Sequence, residues 1–209
     1  LPIGFLQALW QMFVFLPDVV FAKGGAASLP VVLVAWLFHI PVVLHESDAV
    51  PGRANRLLGN FATRIGVGFA DAGKYFNGRK TAVTGNPVRQ ELMNKAADLA
   101  LQTLHAKLMP TVLVIGGSQG ARVINEHILS ILPVLLQKNI QVVHITGPQN
   151  YEAITQAVQA YGIHVEESLY HPVRFADEKL LASLYALATM VISRAGAGSI
   201  AELSANRKV

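Results

Sequence analysis

The sequence contains no cysteine, so disulfides and thiolate chemistry, catalytic or metal-binding, are excluded at the outset. Charge is scarce as well: Asp, Glu, Lys and Arg make up 14% of the chain against 52% hydrophobic residues. Such a balance buries a core readily and does not suit disorder. Missing motifs narrow the chemistry further. No D-x-D pair is present, so there is no obvious carboxylate site for a metal on a diphosphate. Neither G-x-G-x-x-G nor G-x-x-x-x-G-K-[ST] occurs, which weakens dinucleotide and P-loop readings. An unbroken apolar run of the ~20 residues that span a bilayer is also lacking. In the apolar first 45 residues, Pro17, Gly24, Gly25, Pro30 and Pro41 intervene, and the stretch reads as buried helix–strand–helix–strand. A peripheral membrane contact through residues 1–16 is the alternative.

What charge there is lies unevenly. Of a formal +4, residues 1–89 hold eight basic residues (Lys23, Arg53, Arg56, Arg64, Lys74, Arg79, Lys80 and Arg89) against four acids, and residues 90–209 hold nine of each. A basic, apolar first part suits an anionic membrane surface or substrate, and equally an ordinary solvated face. The chain opens on Leu1, not Met, and its last residues, AELSANRKV, read as a helix cut in mid-course. Both ends are therefore expected to be truncations, and no signal peptide is seen.

Apolar runs alternate with helical patterns throughout. Strands are expected at 18–22, 41–44, 64–69 and 81–84, with helices at 29–39 and 52–60. After GNPVR a helix is expected through about 107. A second series follows: strand 111–115, helix 119–137, strand 141–145, helix 149–160, a short strand near 163–166, helix 178–187, strand 189–193 and a helix from about 197. This alternation means parallel sheets covered by helices. The best boundary is TGNPVRQ (84–90), where Pro87 restricts Asn86 to extended geometry. It suggests two domains, 1–88 and 89–209.

Ligands of open α/β sheets bind at the carboxyl ends of strands, where the glycine-rich turns of this chain fall. In TVLVIGGSQGARVIN, Gly116 and Gly117 let backbone approach a ligand, Ser118 adds a hydroxyl, and the free amides opening the next helix favour an anion. Tight strand–helix packing alone would also account for such a turn. In MVISRAGAGSIAEL a second turn, Gly196 to Ser199, precedes Glu202. Glu202 reads either as a first-turn carboxylate favoured by the helix dipole or as an acceptor for ribose hydroxyls. HESDAVPGRANR gathers His45, Glu46 and Asp48 at a strand end; acid–base work and simple loop capping are equally open. The remaining histidines, His39, His105, His127, His144, His164 and His171, share no spacing and read as ordinary helix or loop residues.

Taken in order and spacing, KGG…S…P, HESDAVPGRANRLL, GNPVR, GGSQGARVIN and SRAGAGSIAEL resemble the MurG family of peptidoglycan N-acetylglucosaminyltransferases, from about residue 18 to the end. The resemblance implies an α/β, GT-B-like fold of two Rossmann-like domains with parallel sheets, both incomplete here. The first would serve the lipid acceptor and the second the UDP-sugar. It implies an inverting, metal-independent and cofactor-free transfer of N-acetylglucosamine from UDP-N-acetylglucosamine to undecaprenyl-diphosphate-linked lipid I. The site would lie at the cytoplasmic face of the bacterial membrane, with an anionic lipid surface and no nucleic acid as partner. Carried over position by position, Arg89 would reach the nucleotide and Ser118 the diphosphate. Ala176, by its backbone, would meet the uracil. Ala197, Gly198, Ser199, Ile200, Ala201 and Glu202 would form the ribose and sugar turn, with Glu202 on the ribose hydroxyls. Asp48 stands where the family has Asn, and an ionised Asp cannot donate a hydrogen bond. The family's usual base falls outside the chain, leaving His45 and Glu46 as weak substitutes, and the 209 residues alone are expected to be inactive. A UDP-N-acetylglucosamine 2-epimerase and a non-catalytic nucleotide-sugar-binding module are the competing readings.

Overall fold

Short, mainly apolar segments rich in β-branched residues, such as VVLHE, TVLVI and QVVHI, become the strands of two parallel sheets. The computed structural model describes residues 2–93, 96–117 and 120–208, and it divides into two compact units, Leu1–Pro87 and Val88–Val209.

The first unit holds helix α1 (Pro2–Phe15), strand β1 (Val20–Ala22), α2 (Ser28–Leu37), β2 (Val42–Glu46), α3 (Arg53–Leu58), β3 (Arg64–Val67) and β4 (Thr81–Val83). Its strands lie in the order β1-β2-β3-β4, all parallel. Val32, Val34, Leu44, Leu58 and Val67 form the fully buried centre of its core. The expected order of helix and strand in residues 1–45 is present, but the expected burial of the first helix is not. In α1, Ala8 and Met12 are buried, whereas Ile3, Leu6, Trp10, Phe13 and Phe15 are each at least 64% exposed. Helix α2 meets one stripe of α1, and α1 is apolar on all sides, so the rest of its surface stays in solvent.

The second unit holds α4 (Asp98–Leu104), β5 (Thr111–Ile115), α5 (Arg122–Gln137), β6 (Gln141–Ile145), α6 (Tyr151–Ala160), β7 (Tyr170–Val173), α7 (Glu178–Leu187), β8 (Met190–Ser193) and α8 (Ala197–Ala205). The strand order is β7-β6-β5-β8, parallel throughout. That is the 3-2-1-4 order of a Rossmann half, and the direction of winding reverses between β5 and β8. Alternate residues of the central strands feed two cores. Leu113, Val143 and Ile145 join the cluster that includes α7, while Val112, Val114 and Val142 join the one that includes α5 and α6.

Two expectations fail here for identifiable reasons. The strand expected near 163–166 is a 3-10 turn, Val165–Glu167, and the third strand of this unit is instead Tyr170–Val173. Pro172 argues against a strand in the sequence, but β7 is the sheet edge, where a missing amide donor costs no ladder bond. The single helix expected after GNPVR is a 3-10 turn, Gln90–Met93, followed by α4. Helix α4 stops at His105, whose φ of 50° is left-handed, and the Ala100 amide near its start donates to the Ser183 hydroxyl at 2.9 Å.

Candidate functional site

Strands β5, β6 and β8 end side by side, and a cavity of about 440 Å³ opens at those carboxyl ends. Ile115, Ile145 and Ser193 line it from the strands, Phe175 to Glu178 from the segment after β7, Tyr185 from α7, and Ser199 and Glu202 from α8. It therefore spans the reversal between β5 and β8, where open α/β sheets take their ligands.

The turn after β5 owes its glycines to geometry. Gly117 has φ +87° with open space where a Cβ would stand, and it lines the cavity, so a side chain there would be strained and would intrude on a ligand. Gly120, at φ +77°, passes so close to β6 that a Cβ would lie 2.2 Å from the Thr146 carbonyl oxygen. Ser118 lies outside the described residues. The letters GGSQG also fit the G-x-S-x-G pattern of hydrolase elbows, but no histidine is among the described cavity-lining residues to activate a serine.

Helix α5 opens on Ala121, with no side-chain cap and no acid in its first turn. Helix α8 opens on Gly196 in the same uncapped way. Among the described residues, neither helix has a side-chain cap on its first amides, and the two open at neighbouring strand ends. By contrast, α7 is capped by Asp177, whose carboxylate accepts the Leu180 amide at 2.8 Å. Beneath the β5 turn, the Asn125 amide of α5 donates to the Thr146 carbonyl at 3.1 Å, and its Oδ1 meets His144 Nε2 at 3.0 Å. The Tyr170 hydroxyl lies 3.0 Å from His144 Nδ1. Because the Asn125 oxygen can only accept, this pattern places the His144 proton on Nε2 and makes Tyr170 the donor to Nδ1. Burial pulls the His144 pKa down to about 4.

Arg89 bridges two carboxylates inside the cavity: NH1 donates to Glu178 Oε1 at 2.9 Å and NH2 to Glu202 Oε1 at 3.1 Å. The Tyr185 hydroxyl donates to the other Glu202 oxygen, Oε2, at 3.2 Å. Burial first, and then the neighbouring Glu202 charge, push the Tyr185 phenol upward, so it remains a donor. Glu202 is the sixth residue of α8, in its second turn, so the first-turn dipole argument is corrected: side-chain partners hold it.

Of the residues the sequence singled out, Arg89, Ala176, Ser199 and Glu202 are gathered on this cavity. Ala197, Gly198, Ile200 and Ala201 lie on α8, whose cavity-facing side chains are Ser199 and Glu202, spaced three apart on one face. Asp48 belongs to the first unit and is exposed, its amide donating to Glu46 Oε1 at 2.8 Å. Glu46 is buried, and its other oxygen accepts Asn55 Nδ2 at 2.7 Å; Asn55 Oδ1 in turn accepts the Gly25 amide at 2.9 Å. His45 is also buried, with Nε2 3.0 Å from the Gly85 carbonyl and Nδ1 3.4 Å from the Ser47 hydroxyl. Tyr185 and Glu178 do not stand out in the sequence, whereas Phe175 adjoins the expected uracil contact at Ala176. The one signal for Tyr185 is a hydroxyl-bearing aromatic inside the otherwise apolar run LLASLYAL, since a buried Tyr needs a partner.

Two parallel α/β units, the second a Rossmann half with its cavity at the winding reversal, are the make-up of GT-B glycosyltransferases. The chain belongs to glycosyltransferase family 28: the family's N-terminal domain matches residues 3–67 and its C-terminal domain residues 111–209. A protein of Lachnospira eligens, named UDP-N-acetylglucosamine--N-acetylmuramyl-(pentapeptide) pyrophosphoryl-undecaprenol N-acetylglucosamine transferase, is 42% identical over 207 residues, covering 98% of this chain and 55% of that protein. The crystal structure of Acinetobacter baumannii MurG is similar with TM-score 0.68 and 26% identity, over 97% of this chain and 54% of that one. The Neisseria meningitidis UDP-GlcNAc 2-epimerase, solved bound to UDP-GlcNAc, has TM-score 0.67 at 15% identity, over 97% of this chain and 60% of that one, which is a likeness of fold. The chain spans about half the length of the curated relatives it matches.

Proposed function

We propose that this chain carries the donor-binding machinery, and part of the acceptor-side domain, of an inverting, metal-independent glycosyltransferase. The reaction moves N-acetylglucosamine from UDP-N-acetylglucosamine to the muramyl sugar of undecaprenyl-diphosphate-linked lipid I, giving lipid II. Residues 89–209 serve the UDP-sugar and residues 1–88 the lipid acceptor. The observation that carries the reading is the cavity at the β5/β8 reversal, lined by Arg89, Ser199 and Glu202 and flanked by two uncapped helices.

The charges divide the ligand between these features. Asp177, Glu178 and Glu202 outnumber Arg89 among the charged lining residues, so the cavity favours hydrogen-bond donors over a bare phosphate. Uridine supplies such donors through its ribose hydroxyls and imide N–H. Glu202 accepts the hydroxyls, the Ala176 backbone meets the uracil, and Phe175, 58% exposed, offers it an aromatic face. The diphosphate belongs at the first amides of α5, beside Ser118, and of α8, at Ala197 to Ala201, where the helix ends stabilise charge developing as UDP leaves. The acceptor hydroxyl attacks the anomeric carbon from the side opposite UDP, the new glycosidic bond forms as the bond to UDP breaks, and the hydroxyl proton passes to a base. His45 and Glu46 are committed to hydrogen bonds within the first unit, and no base is assigned to them.

The apolar surface of α1, on a unit with a basic excess, supports a peripheral contact with the anionic cytoplasmic membrane surface. No helix among the described residues is long and apolar enough to cross a membrane. Calorimetric titration tests the donor site: UDP-N-acetylglucosamine binds equally in EDTA and in Mg²⁺, and Glu202→Ala removes the binding. Absence of binding by the wild-type chain, or binding that requires a divalent cation, defeats the reading.

A further inference from the structure

Glu202 differs from the other acids of the cavity in having both carboxylate oxygens engaged by side chains, one by Arg89 and one by Tyr185. Arg89 is itself held from its far side by Glu178. The four residues make one continuous chain, Glu178–Arg89–Glu202–Tyr185, contributed by the start of the second unit, by α7 and by α8. All four line the cavity. Tyr185 is 2% exposed, so its hydroxyl is fixed by packing and does not swing to water.

A carboxylate has about four acceptor positions, and this chain occupies two of them on Glu202, one on each oxygen. We infer that Tyr185 and Glu178 are positioning residues for the donor nucleotide: Tyr185 directly and Glu178 through Arg89 lock the Glu202 carboxylate so that its unused acceptor positions meet the ribose hydroxyls. The inference rests on the reading of Glu202 as the ribose contact. A free glutamate loses rotamer freedom when a ligand recruits it, whereas one clamped at both oxygens has lost it already. The clamp also makes the site a reader of ribose. A deoxyribose leaves a desolvated, immobilised carboxylate oxygen without its donor, and buried acceptors left unpaired are what reject an analogue lacking a hydroxyl. Loss of the Tyr185 hydroxyl lets the carboxylate turn toward water, which lowers affinity for the ribonucleotide and leaves the deoxy analogue almost untouched.

The test is a calorimetric comparison of UDP with 2′,3′-dideoxy-UDP on the whole chain, as wild type, Tyr185→Phe, Glu178→Gln, Glu202→Gln and the Tyr185→Phe/Glu202→Gln double variant. The wild type is expected to prefer UDP by at least about tenfold. In Tyr185→Phe that preference shrinks roughly three- to tenfold, almost wholly through weaker UDP binding, and Glu178→Gln shrinks it to a smaller extent. In the Glu202→Gln background Tyr185→Phe has no further effect. An unchanged ribose preference in Tyr185→Phe and Glu178→Gln overturns the inference while leaving the site standing. So does an equal loss of UDP and dideoxy-UDP binding, which marks a packing role. If Tyr185→Phe fails to fold, Glu178→Gln, a change at a half-exposed side chain, decides between these outcomes through the same ratio. Failure of the wild type to bind UDP, or to distinguish it from the dideoxy form, overturns the ribose reading of Glu202 itself.

Discussion

Arg89 and Glu202 are separated by 113 positions, yet they form one ion pair, and each has a second partner in Glu178 and Tyr185. Because Glu202 is partly shielded, removing its charge disturbs both neighbours. Glu202→Gln is expected to weaken UDP-N-acetylglucosamine binding by about 1.5–3 kcal/mol, the range for hydrogen bonds to charged groups, or roughly 10- to 150-fold in titration. Gly117 answers a different demand. Its φ of +87° costs an L-residue about 1–2 kcal/mol, and a methyl group there points into the space beside the cavity. Gly117→Ala should therefore lower both the urea midpoint and the donor affinity. A variant that lost affinity with an unchanged midpoint would place the strain outside the folded ground state. Arg89, Ser199 and Glu202 were legible in the sequence because they stand in glycine-punctuated motifs. Tyr185 was not, since its role depends on α7 laying one residue of an apolar run beside another helix.

Between elements, the second unit depends on a buried polar contact that no motif announced. His144, in the middle of β6, joins Asn125 of α5 to Tyr170 of β7 and has no exposed surface. Folded, it stays neutral until about pH 4, whereas the unfolded chain takes up the proton near 6.5. Between those values the unfolded state binds more protons, so stability is complete above about 6.5 and falls as the pH drops toward 4. The full loss is about 3 kcal/mol, and urea midpoints between pH 7 and 4 should trace it. In His144→Gln that part of the slope should vanish; an unaltered slope assigns the acid sensitivity elsewhere. The first unit has its counterpart in Asn55, which joins Glu46 on β2 to the Gly25 amide. Asn55→Ala strips a buried carboxylate of a donor, and the expected cost is about 2–4 kcal/mol of unfolding free energy. The strand–helix alternation was readable from the sequence, while β7 was placed too early, at 163–166, and its real position includes a proline that only an edge strand tolerates.

On the scale of the whole molecule, exposed hydrophobic surface and the net positive charge are both concentrated before residue 90. Helix α1 leaves Trp10 and Phe13 in solvent at 65% and 64% exposure. Its 14 described residues span about 21 Å at 1.5 Å per residue, and their exposed apolar side chains suit a contact in the plane of the interface. Vesicles containing anionic lipid should bind the chain and blue-shift Trp10 fluorescence. Added salt should weaken the binding as it screens the basic residues, and Phe13→Glu should weaken it at every salt concentration. Equal binding to neutral and anionic vesicles would remove the electrostatic part of this contact.

Sequence by itself determined the parallel α/β class, the positions of most strands and helices, and the glycine turns at strand ends. These follow from local rules: apolar period, turn chemistry and the backbone needs of glycine and proline. It also determined the family, because five motifs in fixed order are a property of the chain. Tertiary structure decided which of those motifs share a cavity, because the reversal of winding between β5 and β8 brings two helix starts together. It decided, too, that Glu46 and Asn55 join parts of the first unit and that α1 is exposed, since burial belongs to neighbours and not to residues. Above all it decided the Glu178–Arg89–Glu202–Tyr185 chain, whose members carry no common spacing and meet because the start of the second unit, α7 and α8 pass one place.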